Sequence, residues 1–459
     1  MKVEQLYTGC LAEAAYYIES EGEAIIIDPL RDVQPYIQKL QRNKTKLKYI
    51  LETHFHADFV SGHIDLAKAT GATIVYGPTA DTSFESHIAK DGEKLTVGSL
   101  TIEVLHTPGH TPESCCFLLY DEKGNKQSVF TGDTLFIGDV GRPDLAIKSD
   151  LTKEDLAGML YESLQHKIKP LPDSIIIYPA HGAGSVCGKN MSKETTDTLG
   201  HQKETNYALK ASTKEEFIKL VLQDLEPAPS YFSINALMNK HGYSNIDEVI
   251  KQGSIALSPD QFQNIQQQTY ALLLDTRNPA EFKQGFIPGS INIGLNGQFA
   301  PWAGTLISDL SQPILLITDT GKEEETVIRL SRVGIDHVIG YLKGGFQTWL
   351  EADKPTDRIN AITPKEFIHQ LTKDAVIIDV RKTGEYESGH LETSVNLPLD
   401  YINDWTPDLD KNKTYYIHCA GGYRSVITES ILKSRNINNI IDIEGGYAAI
   451  EKEMSSVKK

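Results

Sequence analysis

The residues best able to do chemistry lie together in Thr53-His54-Phe55-His56-Ala57-Asp58-Phe59-Val60-Ser61-Gly62-His63. Three imidazoles and a carboxylate follow the apolar run Tyr49-Ile50-Leu51, which predicts a short buried strand. Imidazole and carboxylate donors together suit a borderline transition metal. Further polar residues arrive at later predicted strand ends: His110 in Thr107-Pro108-Gly109-His110-Thr111, Asp133 in Thr131-Gly132-Asp133-Thr134, and His181 in Tyr178-Pro179-Ala180-His181-Gly182. A second kind of chemistry is written far downstream, where Tyr415-Tyr416-Ile417-His418 runs into Cys419-Ala420-Gly421-Gly422-Tyr423-Arg424-Ser425. Gly421 and Gly422 let successive backbone N–H groups converge as an anion-binding nest. A helix N-terminus and Arg424 add positive potential, which favours a thiolate at Cys419. Such a thiolate can accept and pass on a sulfane sulfur.

Several elements must position these groups. At 459 residues the chain should hold two or three domains, each with its own core. Net charge is −17, from 62 acidic against 45 basic residues, which argues against nucleic acid or an anionic membrane surface as partner. No apolar run approaches the roughly eighteen residues of a spanning helix. The start Met1-Lys2-Val3-Glu4-Gln5 lacks the apolar stretch of a secretory signal. Cys10, Cys115, Cys116, Cys187 and Cys419 are too few and too irregular for a disulfide framework, so a cytoplasmic, thiol-reducing setting is expected.

Over residues 1 to about 250, short strands, turns and helices alternate. Residues 151–164 have helical spacing behind the cap-like Ser149-Asp150, and a helical tail is expected over 203–239, interrupted at Glu226-Pro227-Ala228-Pro229. Two sheets flanked by helices, with the polar residues on loops at one edge, resemble the αββα sandwich of the metallo-β-lactamase superfamily. Two-metal hydrolases of that superfamily, such as glyoxalase II, carry His-x-His-x-Asp-His. Here Phe59 stands at the last position and cannot ligate. The remaining pattern resembles the mononuclear iron persulfide dioxygenases. That resemblance implies one Fe(II) per chain held by His54, His110 and Asp133, a facial triad that leaves three positions open. His56 and Asp58 would then orient ligands or bound water, and His181 would line the pocket. His63 and His106 are expected to be structural. Cys187 is a candidate to face the iron pocket. Arg142 is a candidate to grip a carboxylate or phosphate of the thiol carrier, or else to close an internal ion pair. Cys115 and Cys116 are expected in the core.

The remaining chain is an internal repeat offset by about 100 residues, a domain-sized period. Leu273-Leu274-Asp275-Thr276-Arg277 and Gly344-Gly345-Phe346 in the first copy answer to Ile377-Ile378-Asp379-Val380-Arg381 and Gly445-Gly446-Tyr447 in the second. Strands alternate with helices, which predicts a small parallel α/β sheet in each. This punctuation resembles the rhodanese domain, and Cys-x-x-Gly-x-Arg-Ser resembles its active loop. The resemblance implies sulfur transfer through Cys419, with Arg424, Gly421, Gly422 and Ser425 around the sulfur. Related cysteine phosphatases resemble a loop one residue longer, so sulfur transfer is preferred. In the first copy Asp319 stands at the Cys419 position and Glu324 at the Arg424 position, so this copy is expected to be inactive.

The expected architecture is α/β: a sandwich over 1–255, an inactive rhodanese-like domain over 256–356 and an active one over 357–459. The expected function is oxidation of a low-molecular-weight thiol persulfide by O2 to sulfite and thiol. Cys419 would transfer sulfane sulfur, for example to sulfite, giving thiosulfate, in sulfide detoxification. A homo-oligomer, dimer or tetramer, is expected. The alternatives are a glyoxalase II-like thioester hydrolase with a sulfurtransferase appendage, and a non-enzymatic sulfur carrier.

Overall fold

The computed structural model describes residues 1–146, 151–370 and 375–457. The chain divides into two compact units, Met1–Ile246 with Ser331–Gly334, and Asp247–Leu330 with Ile335–Lys459.

The first unit is built on two six-stranded sheets. One has the order Lys2–Thr8, Glu13–Ser20, Glu23–Ile27, Lys46–Glu52, Thr73–Tyr76, His87–Ile88. The other has the order Asp197–Thr198, Ile176–Pro179, Lys126–Gly132, Cys115–Tyr120, Leu100–His106, Lys94–Val97. Alternation of side chains along each strand makes the layers. In Glu23–Ile27, Ile25 and Ile27 pack between the sheets with Phe117, Leu119 and Phe130. Ala24 and Ile26 pack outward with Tyr36, Leu40 and Leu66 of the covering helices. Burial on both faces is why this strand is an unbroken apolar run. Cys115 and Cys116 obey the same rule: the first joins the inter-sheet core, the second packs with Leu160 and Leu164 on the helical side.

Strand direction gathers the reactive loops at one edge. Lys126–Gly132 and Ile176–Pro179 are parallel, and Leu100–His106 runs the same way across two antiparallel steps. His110, Asp133 and His181 therefore follow strand ends on a shared side, and His54 follows the end of Lys46–Glu52 in the facing sheet.

Two sequence expectations differ in detail. The helix expected over 151–164 spans Lys153–Ser163. Its cap is Thr152, which accepts from the Asp155 N–H while the Asp155 carboxylate accepts from the Thr152 N–H. Ser149 and Asp150 lie outside the described residues. The helical tail is divided into Leu199–Thr205, Lys214–Leu222 and Tyr231–His241. Asn206 ends the first in extended conformation and Thr213 caps the second. Pro227 and Pro229 keep the second and third from joining.

The second unit contains two wholly parallel five-stranded sheets with one strand order. The first copy has Ala256–Leu257, Val338–Leu342, Ile314–Ile317, Leu272–Asp275, Ile291–Asn292. The second has Asn360–Ile362, Ile440–Ile443, Tyr415–His418, Val376–Asp379, Ser394–Asn396. The repeated sequence punctuation converges on one buried knot in each. Arg277 donates to both carboxylate oxygens of Asp275 and to the Gly285 carbonyl. Arg381 does the same with Asp379 and Gly389. Each guanidinium lies over the aromatic of its Gly-Gly-aromatic turn, Phe346 at 4.2 Å and Tyr447 at 4.1 Å. The repeated Asp, Arg and aromatic residues are thus a structural device used twice. No helix among the described residues is long and apolar enough to cross a membrane.

Candidate functional site

Asp133 stands at the end of Lys126–Gly132 with both carboxylate oxygens buried and without a hydrogen-bond partner. Three imidazoles surround it. His110 Nε2 lies 3.4 Å and His54 Nε2 4.0 Å from Oδ2, and His181 Nε2 lies 3.5 Å from Oδ1. In each ring the other nitrogen is tethered. His110 Nδ1 donates to the Arg142 carbonyl at 2.8 Å, and His181 Nδ1 to the Ala12 carbonyl at 3.3 Å. His54 Nδ1 faces the Thr53 hydroxyl at 3.0 Å, and that hydroxyl itself donates to Asp28. Tethering Nδ1–H leaves the Nε2 lone pair turned toward Asp133. Burial, together with the neighbouring imidazoles, holds His54 well below the usual histidine range. A buried carboxylate facing lone pairs is repulsive as it stands, and a cation resolves it. The ligating atoms of His54, His110 and Asp133 lie within 4.8 Å of one another, so the donor set fits a metal ion.

One glycine makes this packing possible. A Cβ on Gly141 would lie 1.9 Å from the Asp133 carbonyl oxygen and 3.1 Å from His110 Nδ1.

The structure also gathers a second set. His56, Asp58 and His181 bring ligand atoms within 4.8 Å, as do Asp133, His181 and Cys187. His181 is thus aimed into the cluster as His54 and His110 are, its Nε2 3.4 Å from Asp58 and 3.5 Å from Asp133. The His56 ring, 4.2 Å from that of His54, also reaches a second pair of carboxylates: its Nε2 lies 3.0 Å from Asp28 and 3.6 Å from Glu52. Burial opposes charge on this ring, but Asp28, Glu52 and Asp58 outweigh it and raise the pKa to about 10. Phe59 is fully buried, its ring 4.3 Å from His56 and 6.5 Å from His181. Asn239 fixes this loop by donating to the carbonyls of His56 and Phe59 and accepting from the Ser61 N–H.

Cys187 is buried, and burial together with the charges of Asp58 and Asp133 pushes its thiol well up. Arg142 is engaged internally: Nε and Nη2 donate to Asp144 at 2.7 Å each, and Nη2 also to the Glu226 carbonyl at 2.6 Å. Of the two readings offered for Arg142, the internal ion pair is the one formed, and it steadies the loop whose carbonyl orients His110. His63 is buried among Tyr76, Phe84 and Tyr243, and burial with the charge of His56 pushes it down to about 3. His106 Nε2 donates to the Pro112 carbonyl at 3.0 Å. Glu13 and Glu52 were missed by sequence reasoning. Both are fully buried beneath the site, and burial pushes both well above the usual carboxyl range. The signal for Glu52 was available: an acid directly after Ile50-Leu51, at the buried end of its strand.

In the second unit Cys419 is 1% exposed and receives the Gly422 N–H at 3.1 Å. A Cβ on Gly446 would lie 2.3 Å from the Cys419 carbonyl oxygen, so the Gly-Gly turn is pressed against the active loop. A pocket of about 450 Å³ opens at Cys419, lined by the loop itself, Lys382, Glu385 and Arg424, and by Gln298 and Trp302 of the first copy. Arg424 differs from the sequence expectation. It forms a two-pronged pair with Glu385 at 2.5 and 2.7 Å, so its charge is partly cancelled and the backbone N–H groups carry more of the loop's attraction for anions. In the first copy Asp319 and Glu324 are exposed carboxylates.

The metallo-beta-lactamase superfamily matches residues 8–181, and the rhodanese-like domain matches residues 258–352 and 363–453. The mitochondrial persulfide dioxygenase ETHE1 of Homo sapiens is 31% identical over 201 residues, covering 43% of this chain and 71% of that protein. The chain belongs to the metallo-β-lactamase superfamily and carries two rhodanese-like domains behind that fold. A probable hydroxyacylglutathione hydrolase of Schizosaccharomyces pombe is 36% identical over 181 residues, 38% of this chain and 66% of the hydrolase. The chain spans 57% to 66% of the length of the first such hydrolases it matches. Among solved structures, a metallo-beta-lactamase from Staphylococcus aureus subsp. aureus COL is 33% identical with a TM-score of 0.66, covering 75% of this chain and 99% of that one.

Proposed function

We propose that the first unit oxidises a low-molecular-weight thiol persulfide with O2, releasing sulfite and free thiol, at one non-haem Fe(II) held by His54, His110 and Asp133. Cys419 of the second unit transfers sulfane sulfur, for example to sulfite, giving thiosulfate. The observation that carries the single-metal reading is Phe59, a buried phenyl ring between His56 and His181 where a further imidazole would be needed. A bound Fe(II) would supply open positions for dioxygen and a sulfur ligand side by side. The protein's own part is orientation. The Arg142 carbonyl and Thr53 hydroxyl fix the ring faces of His110 and His54, and Asp28 and Glu52 anchor one side of His56. Asp58, His181 and Cys187 face the remaining space, where they would contact substrate.

At the other site the Cys419 thiolate attacks the outer sulfur of the persulfide. The S–S bond breaks, the thiol carrier leaves, and a cysteine persulfide remains. Sulfite then attacks the outer sulfur, forming the S–S bond of thiosulfate and returning the thiolate. A nest of N–H groups around Cys419 suits the negative charge carried at each stage. We further propose three domains, 1–255, 256–356 and 357–459, and a reducing cytoplasmic setting in keeping with five unpaired cysteines.

The experiment is metal analysis of anaerobically purified protein together with oxygen uptake on glutathione, coenzyme A and bacillithiol persulfides. One iron per chain and oxygen-dependent sulfite release are expected. In Cys419→Ser, thiosulfate formation should cease while oxygen uptake continues. Two zinc ions and oxygen-independent hydrolysis of a thioester would instead establish the hydrolase reading, which the grouping of His56, Asp58 and His181 favours.

A further inference from the structure

The first rhodanese-like copy lacks a nucleophile, yet it reaches beneath the loop of the second. Asp442, fully buried on Ile440–Ile443, accepts at one oxygen from the Ser425 hydroxyl at 3.0 Å. Its other oxygen accepts from Lys283 Nζ at 2.6 Å, and Lys283 belongs to helix Pro279–Gln284 of the first copy. Ser425 Oγ in turn lies 3.8 Å from Cys419 Sγ. A chain of contacts therefore runs from the inactive copy to the reactive sulfur.

Charge in this pocket is arranged around that contact. Glu429 is fully buried beside Asp442 and within hydrogen-bond reach of it. Burial, and then the charge of Asp442 and a hydrogen bond with it, push Glu429 well above the usual carboxyl range. Lys283 is the cation facing that charge. The Ser425 hydroxyl donates to Asp442 and its lone pairs accept the S–H of the resting Cys419 thiol, whose proton then has a path away from Sγ along the same contacts. Other contacts hold the two copies in register. The Tyr423 hydroxyl donates to the Gly294 carbonyl at 2.7 Å, the Asn292 N–H donates to Ser430 Oγ at 2.9 Å, and Val426 packs on Phe282 and Phe286. The equivalent helix of the second copy, Thr383–Ser388, carries Glu385, the partner of Arg424.

We infer that Lys283 of the inactive copy is a positioning residue of the sulfur-transfer site, fixing the Ser425 hydroxyl against Cys419 through Asp442. The inference rests on the reading of Cys419 as the sulfur carrier. Without the ammonium, one oxygen of the buried Asp442 loses its donor and the carboxylate is free to turn. The Ser425 hydroxyl then loses its fixed acceptor and its alignment with Sγ.

The test is a cycle in the full chain: Lys283→Met, Lys283→Arg, Ser425→Ala and the pair Lys283→Met with Ser425→Ala. Two rates are read on each protein. One is sulfur loading of Cys419 from thiosulfate, by intact mass; the other is alkylation of Cys419 by iodoacetamide, which needs no sulfur chemistry. Lys283→Met should slow loading by about tenfold, the scale of one hydrogen bond to a charged group. Lys283→Arg should recover most of it. In the Ser425→Ala background Lys283→Met should cost less than about twofold, because both act through one chain of contacts. Alkylation should follow the same pattern. A loss that persists undiminished in the Ser425→Ala background would reduce Lys283 to an interface contact and overturn the inference, as would wild-type rates in Lys283→Met. Should Lys283→Met fail to fold, Lys283→Gln, which keeps a donor without the charge, enters the same cycle. If wild-type Cys419 takes up no sulfur while alkylation obeys the cycle, the sulfur-carrier reading falls and the positioning role stands.

Discussion

Phe59→His tests the single-metal reading most directly, because it adds only the donor that the loop lacks. His181 Nε2 already lies 3.4 Å from Asp58 and 3.5 Å from Asp133, so an imidazole at position 59 would join two carboxylates and a histidine. Without metal the change should destabilise. A fully buried phenyl ring that packs on His56 is replaced by a smaller ring with polar nitrogens, which costs about 2–4 kcal/mol. With metal the sign should reverse in part. A cation held at one hundred times its dissociation constant restores about 2.7 kcal/mol. The assay is metal content by mass spectrometry, beside chemical denaturation with and without added zinc. The variant should rise from about one to about two metal ions per chain and gain more stability from zinc than wild type does, since ligand binding is folding free energy. A variant that still holds one ion, or a wild-type protein that already holds two, would refute the reasoning.

Other tests address neighbouring groups. His110→Ala should abolish iron binding and oxygen uptake, whereas His181→Ala should retain the metal; equal iron loss in both would make His181 a ligand, as its 3.5 Å approach to Asp133 permits. In a Cys419→Ser background, Asp319→Cys should load almost no sulfur and Asp319→Cys with Glu324→Arg should load some, both measured by protein mass. Full loading by the single variant would mean that charge did not silence the first copy. His63 is held down to about 3 by burial, so it is neutral when folded. Its contribution to stability is complete above the unfolded histidine value of about 6.5 and is lost as pH falls below it, at about 1.4 kcal/mol per unit. His63→Phe should therefore lose stability less steeply than wild type between about pH 6 and 4 in urea titrations, and identical slopes would contradict the assignment.

The parts of the site that were legible in the sequence are those carried by a side-chain type at a strand end. His54, His110 and Asp133 could be read because each is a polar interruption of an apolar pattern, and the structure brings them together. The repeat could be read because Asp-x-Arg and Gly-Gly-aromatic recur, although their convergence on one guanidinium could not. The tethers were illegible for a physical reason. His110 and His181 are oriented by the carbonyls of Arg142 and Ala12, groups that every residue possesses and no sequence pattern marks. The breaks in the helical tail followed local rules of capping and proline, whereas its exact ends did not. Glu13 went unmarked because nothing in the sequence around it signals that an acid at the start of that strand is fully buried.

The pairing of charges over long sequence distances is what the sequence conceals most, and it changes how both sites attract their substrates. Arg142, Arg424 and Lys283 each looked available or went unnoticed in the linear chain. Folding commits them to Asp144, Glu385 and Asp442. His56 is likewise committed to Asp28 and Glu52. A committed cation attracts an arriving anion weakly, because its field is largely cancelled at short range. What remains strongly directional is the orphaned Asp133 carboxylate, which calls for a metal ion, and the backbone N–H at Gly422, which meets sulfur at 3.1 Å. In both places the surrounding charges are spent on one another, so they hold the Asp133 carboxylate and the Gly422 N–H at fixed points.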